Sequence, residues 1–353
     1  MTRLIRIGNV EIGAGRPVAI QSMTKTDTRD VAATIKQIEE MADAGCEIVR
    51  LAVVDAEAAA AVKVIKRAVG SVPLVADIHF DYRLALECIK HGIDKIRINP
   101  GNIGDAARVK AVADAAKERG IPIRVGVNGG SLEKKLYEKY GGLTAEALAE
   151  SALLQAELLR NCGFDDIVVS IKSSDVFMTV NACRVFHRLN TGIPQHIGIT
   201  EAGGPVSGLV KSTIGLYDLL KDGIGDTIRV SLTADPVEEI VAAKALLRAV
   251  FGNKYANGVE MVSCPTCGRC RTDMANIARR VERLAANIHT NKRIKVAVMG
   301  CAVNGPGEAR EADVGVSCGD GKALLFKHGV QQYQIPENEI FDVLYNEILE
   351  LAK

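Results

Sequence analysis

The stretch "HGIDKIRINP" at residues 91–100 contains the unit from which the fold can be predicted. It follows a helical pattern, and its glycine precedes a short run rich in β-branched residues. The same order recurs in "AGCEIVRLAV" at 44–53, "RGIPIRVGVN" at 119–128, "CGFDDIVVSIK" at 162–172 and "DGIGDTIRVSLT" at 222–233. Glycine is the usual residue where a helix ends in the left-handed conformation. The repeat therefore predicts helices that end on a glycine and lead directly into strands.

Three further apolar runs, "VAIQSM", "LVADIH" and "QHIGIT", bring the predicted strands to eight. The strands are predicted at Val18–Met23, Ile48–Val53, Leu74–His79, Lys95–Asn99, Pro122–Asn128, Asp166–Lys172, Gln195–Thr200 and Thr227–Thr233. Strands that alternate with helices form parallel βαβ units, and eight of them in about 250 residues is typical of a TIM barrel. A doubly wound open sheet is the alternative, but no G-x-G-x-x-G motif follows the first strand.

The pattern changes after Phe251–Gly258, where we expect the domain boundary. Beyond it we predict a strand at Val259–Ser263, a cysteine-rich loop, a helix at Asp273–Ile288 and a strand at Ile294–Gly300. Two short strands and a final helix from Pro336 follow. The predicted fold class is α/β: an N-terminal TIM (β/α)8 barrel over residues 1–255, followed by a small α+β domain over residues 256–353.

Composition restricts the classes of function. The chain has 44 basic and 43 acidic residues, so no overall positive field would attract nucleic acid. The start "MTRLIRIGNVEIG" lacks the apolar core of a signal peptide, and no run approaches 18 apolar residues. We therefore expect a cytoplasmic protein without a membrane segment, in which thiols stay reduced. Cys46, Cys88, Cys162 and Cys183, which stand singly near helical stretches, are predicted to be buried as small apolar residues.

Side chains on a strand alternate between its two sides, and in these strands one side repeatedly carries polar groups. The polar set is Arg50, Asp77, His79, Arg97, Asn99, Arg124, Asn128, Ser170, Lys172, His196, Thr200, Arg229 and Ser231. Apolar neighbours such as Ile96 and Val125 fit the opposite side, beneath the helices. The polar side should then face the barrel axis, toward the carboxyl-terminal mouth where TIM barrels place their chemistry.

Five of these residues are cations, namely Arg50, Arg97, Arg124, Lys172 and Arg229. Cations directed into a barrel are costly unless anions compensate them. A phosphorylated substrate would do so, because arginine forks match phosphate oxygens. The alternative is that each cation pairs with a structural carboxylate.

The loop after the seventh strand carries "TEAGGP", in which Glu201 is an acid at the predicted mouth. It is the candidate proton donor or acceptor, with a solvated loop carboxylate as the alternative. The sequence "NGGS" at 128–131 precedes a helical run, so backbone N–H groups there are candidates to hold a phosphate.

Cys264, Cys267 and Cys270 form C-x2-C-x2-C, the spacing of ferredoxin-like cluster loops. A zinc site and a redox dithiol are the alternatives, although the chain offers no second C-x2-C or H-x3–5-H to complete a zinc site. Spacing alone predicts a cluster held by the three close cysteines together with Cys301 or Cys318.

The combination "SCPTCGR" at 263–269 and "VMGCAVNGPGEA" at 298–309 resembles the 4-hydroxy-3-methylbut-2-enyl diphosphate synthase family, also called the GcpE or IspG proteins. The resemblance extends over essentially the whole chain. In the barrel it rests on "QSMTKTDT", "VRLAV", "ADIHF", "IRINPGN", "RVGVNGGSL", "SIKSSD", "HIGITEAGG" and "IRVSLT", taken as an ordered set.

The resemblance implies a [4Fe–4S] cluster held by three cysteines and a glutamate. By motif these are Cys264, Cys267, Cys301 and Glu308, which replaces the choice of Cys270 made from spacing. The family usually has no cysteine at position 270, so Cys270 departs from its pattern and is interpreted as a bystander. A carboxylate ligand suits this chemistry, because oxygen is a harder ligand than thiolate and can yield an iron site to substrate more readily.

The resemblance also implies the activity. It is the two-electron reductive ring opening of 2-C-methyl-D-erythritol 2,4-cyclodiphosphate in the methylerythritol phosphate route to isoprenoids, with ferredoxin or flavodoxin as electron donor. Glu201 would handle the proton. The substrate-binding set would be Arg50, Asp77, His79, Arg97, Asn99, Arg124, Asn128, Lys172, His196, Thr200, Arg229 and Ser231. The family resemblance further implies a homodimer in which the active site is shared between subunits.

Two other functions are the alternatives. One is a group-transfer barrel similar to dihydropteroate synthase, with the cysteine domain as a structural zinc module. The other is an iron–sulfur sensor that binds nucleic acid, which the balanced charge and the lack of a recognition motif disfavour.

Overall fold

The computed structural model describes the 353-residue chain except residues 256, 287, 289, 302–304 and 320. The side chains at 253, 254, 285, 286, 305, 306 and 308 also lie outside the described part. The chain divides into two compact units, Met1–Val250 and Phe251–Lys353.

The first unit is built around a sheet of eight parallel strands, as predicted. The strands are β3 (Ala19–Met23), β4 (Ile48–Ala52), β5 (Leu74–Asp77), β6 (Lys95–Ile98), β7 (Ile123–Asn128), β8 (Ile167–Lys172), β9 (His196–Ile197) and β10 (Thr227–Ile228). Their order in the sheet is β8-β7-β6-β5-β4-β3-β10-β9. A parallel bridge between Val169 and Gln195 joins the two ends of this order, so the sheet closes on itself. The predicted TIM barrel is confirmed.

Helices connect successive strands on the outside of the barrel. They are α1 (Val31–Asp43), α2 (Ala56–Val69), α3 (Tyr82–Lys90), α4 (Ala106–Arg119), α5 (Lys134–Tyr140), α6 (Ala145–Arg160), α7 (Val176–Arg188), α8 (Pro205–Leu220) and α9 (Pro236–Phe251). Aspartates cap several of them: Asp30, Asp55, Asp105 and Asp175 each accept a hydrogen bond from a backbone N–H of the first turn. Each cap contributes about 1 kcal/mol and fixes where the loop at the barrel mouth ends.

The glycines predicted to end helices, Gly45, Gly92, Gly120, Gly163 and Gly223, all have positive φ. At the end of α4, Gly120 has φ 64° and its N–H donates to the Ala116 and Lys117 carbonyls. An L-residue with a side chain rarely adopts this conformation, so glycine sets the point at which the chain turns into β7.

A short hairpin closes the amino-terminal end of the barrel. Strands β1 (Ile5–Ile7) and β2 (Val10–Ile12) pair antiparallel and form a separate two-stranded sheet. Ile5, Ile7 and Ile12 are buried against Ala19, Ile48, Val75 and Val168 of the barrel strands. The sequence reasoning did not predict this hairpin. It leaves the carboxyl-terminal end as the side of the barrel on which a ligand can enter.

The second unit is a mixed five-stranded sheet in the order β11-β12-β13-β14-β15. The strands are β11 (Gly258–Ser263), β12 (Arg293–Met299), β13 (Val314–Gly319), β14 (Lys322–Lys327) and β15 (Val330–Pro336), with helices α10 (Met274–Ala286), α11 (Gly305–Arg310) and α12 (Ile340–Ala352). The first three strands run parallel and the last pairings are antiparallel. The predicted small α+β domain is confirmed.

The prediction of two short strands in this unit was wrong, because β13, β14 and β15 are three strands of six, six and seven residues. The missed division lies at His328 and Gly329, both with positive φ, which turn β14 back into β15. Glycine is the expected residue in such a turn, but histidine is a weak signal for it.

The single cysteines of the first unit differ from one another. Cys46, Cys88 and Cys183 are buried, as predicted, but Cys162 is only partly buried, so that prediction was wrong for one of the four. None of the helices that the structure describes combines the length and apolar character needed to cross a bilayer.

Candidate active site

The predicted polar positions line the inside of the barrel. Asp77, Arg97, Asn99, Arg124, Lys172 and His196 are nearly fully buried, while Arg50 and Arg229 are partly buried. Their sequence neighbours Ile96, Ile98, Val125, Val169 and Ile171 are also buried, on the side that faces the helices. Five predicted residues follow their strands instead of lying within them: His79, Asn99, Thr200, Arg229 and Ser231.

Asp77 is the centre of one charged group. Arg97 Nη1 donates to Asp77 Oδ1 at 3.1 Å, and Arg50 Nε lies 3.8 Å from Oδ2. His79 Nε2 lies 3.4 Å from the same carboxylate. Burial alone would raise the pKa of Asp77, but Arg50, His79, Arg97 and Arg124 outweigh it and hold that pKa well below its usual range. Asp77 is therefore an anion that keeps two arginines in place.

Arg229 pairs with a carboxylate that the sequence reasoning missed. Its Nε and Nη2 lie 3.0 and 3.2 Å from the Glu239 oxygens. Glu239, on α9, also accepts hydrogen bonds from Ser22 Oγ and the Leu232 N–H. The alternative that each cation has a structural partner is thus correct for Arg229, and no strand pattern could reveal it because the partner lies on a helix.

Arg124 and Lys172 have no carboxylate within 4 Å among the residues that the structure describes. Arg124 Nη1 donates to Ser170 Oγ at 3.1 Å, while its Nε and Nη2 are buried without a partner. Lys172 Nζ lies 3.3 Å from His196 Nε2. Burial, followed by the charges of Arg124, Arg50, Arg229 and Arg97, lowers the pKa of Lys172 well below its usual range.

His196 is enclosed on both ring nitrogens. Its Nδ1 lies 2.8 Å from Thr227 Oγ1, and its Nε2 faces Lys172. Burial and then Lys172 lower the pKa of His196 well below its usual value, so the ring is neutral. Nδ1 contacts a hydroxyl that can donate or accept, and Nε2 contacts the Lys172 amine, so a proton on either ring nitrogen fits the hydrogen-bond network.

Two inward-facing glycines make room for these cations. A Cβ at Gly126 would lie 2.6 Å from Arg97 Nε, and a Cβ at Gly198 would lie 2.5 Å from the Arg229 carbonyl oxygen and 3.1 Å from Lys172 Nζ. Gly126 lies two residues after Arg124, and Gly198 lies two residues after His196, so alternation places both glycines on the same side as the polar residues. The sequence analysis did not use this signal.

A further inward cation was also missed. Lys95 is fully buried and stands two residues before Arg97 on β6, so alternation places both on the same side of the strand. With it, the basic residues at inward positions number six: the arginines Arg50, Arg97, Arg124 and Arg229, which stay protonated, and the lysines Lys95 and Lys172. Among the described residues, Asp77 and Glu239 are the carboxylates within 4 Å of any of them. The barrel therefore carries an excess of positive charge that suits a polyanionic ligand.

The mouth of the barrel holds a cavity of about 400 Å³. Asn128, Thr200 and Glu201, predicted from three separate stretches, all line it, together with Gly129–Ser131 and Ser173. Glu201 is exposed and has φ 52°, a left-handed conformation that is uncommon for a residue with a side chain. Such strain is often found at functional positions. The cavity thus brings an exposed carboxylate next to polar side chains and the N–H groups of the 129–131 turn.

Asn99 has a local role in addition to its buried position. Its Oδ1 accepts a hydrogen bond from the Gly101 N–H at 3.1 Å, and Gln155 Oε1 accepts from the same N–H at 2.7 Å. These bonds hold the loop that follows β6.

In the second unit, the cysteine loop leaves the carboxyl-terminal end of β11, next to the end of β12. The Gly300 N–H donates to Cys264 Sγ at 3.1 Å. A Cβ at Gly300 would lie 2.8 Å from Cys270 Sγ and 3.2 Å from Cys264 Sγ, so the glycine provides a cradle for these sulfurs. Cys267 is exposed, and Cys301 is partly buried directly after Gly300.

Thiolate donors with a backbone N–H aimed at sulfur are the chemistry that iron–sulfur groups use, so these residues fit such a group. Within the part of the chain that the structure describes, no three His, Cys, Asp or Glu side chains stand close enough to hold a single metal ion. Position 308 lies in α11, but the Glu308 side chain is outside the described residues.

Cys318, one of the two fourth ligands considered from spacing, is fully buried in the core of this unit. Burial raises the pKa of its thiol to about 12. Cys270 is partly buried, and its Sγ lies 3.2 Å from the Thr272 carbonyl oxygen.

Comparison with protein families gives matches to both units. A model described as the GcpE TIM-barrel domain matches residues 2–244, and one described as the GcpE protein C-terminal domain matches residues 260–350. A protein of Ruminiclostridium cellulolyticum is 53% identical over 350 residues, which are 99% of this chain and 98% of that protein. One of Caldanaerobacter subterraneus subsp. tengcongensis is 52% identical over 353 residues, 100% of this chain and 98% of that protein. Both are named 4-hydroxy-3-methylbut-2-en-1-yl diphosphate synthase (flavodoxin).

Among solved structures, 7,8-dihydropteroate synthase from Vibrio fischeri ES114 is similar to this chain with a TM-score of 0.50 and 14% identity. The match covers 70% of this chain and 97% of that one. At this level of identity the likeness shows a shared barrel fold and nothing about activity.

Proposed function

The chain belongs to the GcpE family, and from this membership we propose how its own residues carry out the reaction of a 4-hydroxy-3-methylbut-2-en-1-yl diphosphate synthase. It is an oxidoreductase of the methylerythritol phosphate pathway of isoprenoid biosynthesis. The substrate is 2-C-methyl-D-erythritol 2,4-cyclodiphosphate. Its ring is opened with two electrons, and one oxygen leaves as water.

The observation that carries the residue assignment is the excess of cations inside the barrel. Four arginines and two lysines at inward positions stand with two carboxylates, and Arg124 and Lys172 have no carboxylate within 4 Å in the described chain. Leaving such charges unpaired costs several kcal/mol per group. A cyclic diphosphate supplies the missing negative charge in a form compact enough to enter a barrel.

We assign diphosphate binding to Arg50, Arg97, Arg124, Lys172 and Arg229. Arginine forks are suited to two phosphate oxygens at once, and Arg124 has two buried nitrogen atoms without a partner that point to such a role. Asp77 and His79 fix Arg97 and Arg50 before substrate arrives. Preorganised cations lose less entropy on binding, which increases affinity.

The remaining predicted residues orient the carbon skeleton. In this proposal they are Asn99, Asn128, His196, Thr200 and Ser231. Because His196 is neutral, it forms no ion pair with the diphosphate. It positions Lys172 instead, through the 3.3 Å contact between Nε2 and Nζ. Asn128 and Thr200 line the cavity at the mouth, where the substrate hydroxyls would lie.

Glu201 is the proposed proton donor or acceptor. It lines the same cavity as Asn128 and Thr200, and its backbone conformation places an exposed carboxylate at the mouth. A positioned acid or base there contributes about 100-fold or more to the rate.

Members of the family depend on iron–sulfur chemistry. We assign the [4Fe–4S] cluster to Cys264, Cys267, Cys301 and Glu308. When bound, the cluster supplies electrons to the substrate one at a time. The Gly300 N–H donates to Cys264 Sγ, as backbone N–H groups commonly do to the sulfurs of iron–sulfur sites.

The name of the relatives supports flavodoxin as electron donor, and we propose it over ferredoxin for this chain. We also propose a homodimer that shares its active site between subunits, which sedimentation equilibrium would test. A chain that sediments as a monomer while it turns over would contradict it.

The substrate assignment is tested by isothermal titration of the oxidised protein with the cyclic diphosphate, without reductant. Binding to the wild-type protein and loss of at least about tenfold in affinity in Arg124→Met would support it. The control is Arg67→Met, an exposed arginine at the end of α2. Equal affinity of Arg124→Met and wild type would show that Arg124 does not bind the diphosphate. If neither protein binds the cyclic diphosphate, the barrel interior is not its binding site.

A further inference from the structure

Lys95 is a fully buried lysine to which nothing above gives a role. It is the first residue of β6, and with Arg97 it alternates toward the barrel interior. Among the residues that the structure describes, its Nζ has no hydrogen-bond partner. The carboxylate of the preceding residue, Asp94, is used by Lys66 Nζ at 2.6 Å and by the Leu74 N–H, so it does not serve Lys95.

The charges that act on Lys95 come from the surrounding strands and are mostly of its own sign. Arg124 of β7 and Arg50 of β4 are the charged groups that act on it most strongly. His196 of β9 is also within its electrostatic reach and is neutral. Asp77 of β5 is engaged by Arg97 and Arg50. Burial and the arginines also lower the pKa of Lys172 of β8 well below its usual range, so that side chain adds little charge. Below, the hairpin β1–β2 contributes buried isoleucines, while its Arg6 and Glu11 pair with each other at the surface.

In the protein without ligand, a proton on Lys95 is therefore unfavourable. Burial, followed by the positive charges of Arg124 and Arg50, lowers the pKa of Lys95 well below its usual value. A neutral amine avoids the cost of an uncompensated buried charge. Arg124 has no such escape, because a guanidinium stays protonated in proteins.

A bound cyclic diphosphate changes this balance. Its two negative charges would lie against the arginines that repel a proton on Lys95, and would cancel part of their field. An opposite charge favours the charged form of a nearby group even without direct contact, because the interior screens weakly.

We propose that Lys95 gains a proton when the cyclic diphosphate enters the barrel, so that substrate binding and proton uptake are coupled. This inference rests on the proposed function, since it needs the diphosphate to bind among the inward cations. Lys95 is then a positioning charge one layer beneath the substrate: it strengthens binding at lower pH and contributes less as the pH rises.

The direction of the pH dependence follows from linkage. If binding takes up one proton, the association constant falls by about tenfold per pH unit wherever the free protein has Lys95 neutral and the complex has it charged. Lys172 and His196 are also held neutral in the free protein and would add to the uptake. A variant at position 95 separates the share that belongs to Lys95.

The experiment is isothermal titration of oxidised, cluster-containing protein with the cyclic diphosphate, without reductant, in two buffers of different ionisation enthalpy at about pH 7 and about pH 8. Each phosphorus of this ligand has one ester and one anhydride bond, so each retains one strongly acidic hydroxyl. The ligand does not titrate in this range, and any proton taken up belongs to the protein.

Wild type should take up about one proton or more per ligand bound. The number taken up by Lys95→Met should be smaller than the wild-type number by about half a proton or more. The control Lys63→Met removes an exposed lysine on α2 and should match wild type. Methionine at position 95 fills the same space without charge, so its melting temperature should equal or exceed that of wild type.

Binding by wild type without proton uptake would overturn the inference and leave the proposed function intact. The same conclusion follows if Lys95→Met takes up as many protons as wild type. If Lys95→Met does not fold, Lys95→Gln replaces it in the same comparison. A wild-type association constant that does not change with pH rejects the inference in either case. Failure of wild type to bind the cyclic diphosphate at all would reject the proposed function instead.

Discussion

Arg97 Nη1 donates to Asp77 Oδ1 at 3.1 Å inside the barrel, and both side chains are nearly fully buried. The same carboxylate lies 3.8 Å from Arg50 Nε. One carboxylate therefore holds two of the arginines assigned to the diphosphate. Arg124 and Lys172 have no carboxylate within 4 Å among the described residues, so the ligand is the anion available to them. The stability of the barrel therefore depends on the balance between its buried arginines and the anions that pair with them.

Replacement of Asp77 by Asn should lower the free energy of unfolding while the fold is retained. Arg97 and Arg50 would lose their shared anion, and breaking a buried pair in this way costs about 3 kcal/mol or more. Chemical denaturation should show this decrease at neutral pH.

Because the pKa of Asp77 is held below its ordinary value, its contribution is present above about pH 4 and is lost as the pH falls further. Wild type and Asp77→Asn should therefore converge in acid. Added cyclic diphosphate should raise the melting temperature of Asp77→Asn less than that of wild type, because Arg97 and Arg50 are no longer held in place for the ligand. Equal stability of the two proteins at neutral pH would show that the arginines do not depend on this carboxylate.

Substitution by alanine should have different effects at Gly126 and Gly198, the two glycines that face the barrel interior. In Gly126→Ala the new methyl group meets the end of the Arg97 side chain, which can move away. We expect a folded protein whose affinity for the cyclic diphosphate is lower by about tenfold, as judged by titration calorimetry.

In Gly198→Ala the methyl group meets the Arg229 carbonyl oxygen, which is backbone and cannot move cheaply. This variant should lose about 1–3 kcal/mol of unfolding free energy. If Gly126→Ala keeps full affinity, Arg97 is not a diphosphate ligand. Full stability of Gly198→Ala would contradict the close packing at that position.

Glu201→Gln should retain substrate affinity and iron content but lose turnover by about 100-fold or more, since the amide cannot exchange a proton. Glutamine keeps the size and hydrogen-bonding capacity of the side chain at the mouth. The control is Glu146→Gln, an acidic residue in the first turn of α6. Near-wild-type kcat in Glu201→Gln would exclude Glu201 from proton transfer.

The cysteines can be ranked by iron retention after anaerobic reconstitution. Serine at Cys264, Cys267 or Cys301 should lower iron and sulfide content markedly, while Cys270→Ser should keep both. The comparison is informative because Cys270 and Cys264 both pack against Gly300, so position alone does not separate them. Loss of iron in Cys270→Ser together with its retention in Cys301→Ser would reverse the assignment.

Alternation along strands predicted the inward set well, because the spacing of residues on a strand leaves two choices of side. Arg97, Arg124 and Lys172 lie inside the barrel as expected, and Asn128, Thr200 and Glu201 meet at its mouth. The same rule would have identified Lys95, Gly126 and Gly198. The predicted polar set did not include Lys95, the first residue of β6, and a pattern of polar side chains gives no weight to the space that a glycine leaves.

Glu239 carries no local signal, because it reaches Arg229 from a helix through tertiary packing, which periodicity does not encode. The β1–β2 hairpin does carry one: Ile5–Ile7 and Val10–Ile12 flank Gly8 and Asn9, a two-residue turn signal that the sequence analysis did not use. Cysteine spacing indicated an iron–sulfur site but not its fourth ligand. The assignment to Glu308 comes from family resemblance, and its side chain lies outside the described residues.

The most direct test is an anaerobic assay of the reconstituted protein with 2-C-methyl-D-erythritol 2,4-cyclodiphosphate and reduced flavodoxin, with the product identified by mass spectrometry. We predict a brown protein with about four iron atoms per chain that forms 4-hydroxy-3-methylbut-2-enyl diphosphate. A colourless protein that retains zinc, takes up no iron and leaves the cyclic diphosphate unchanged would contradict the account.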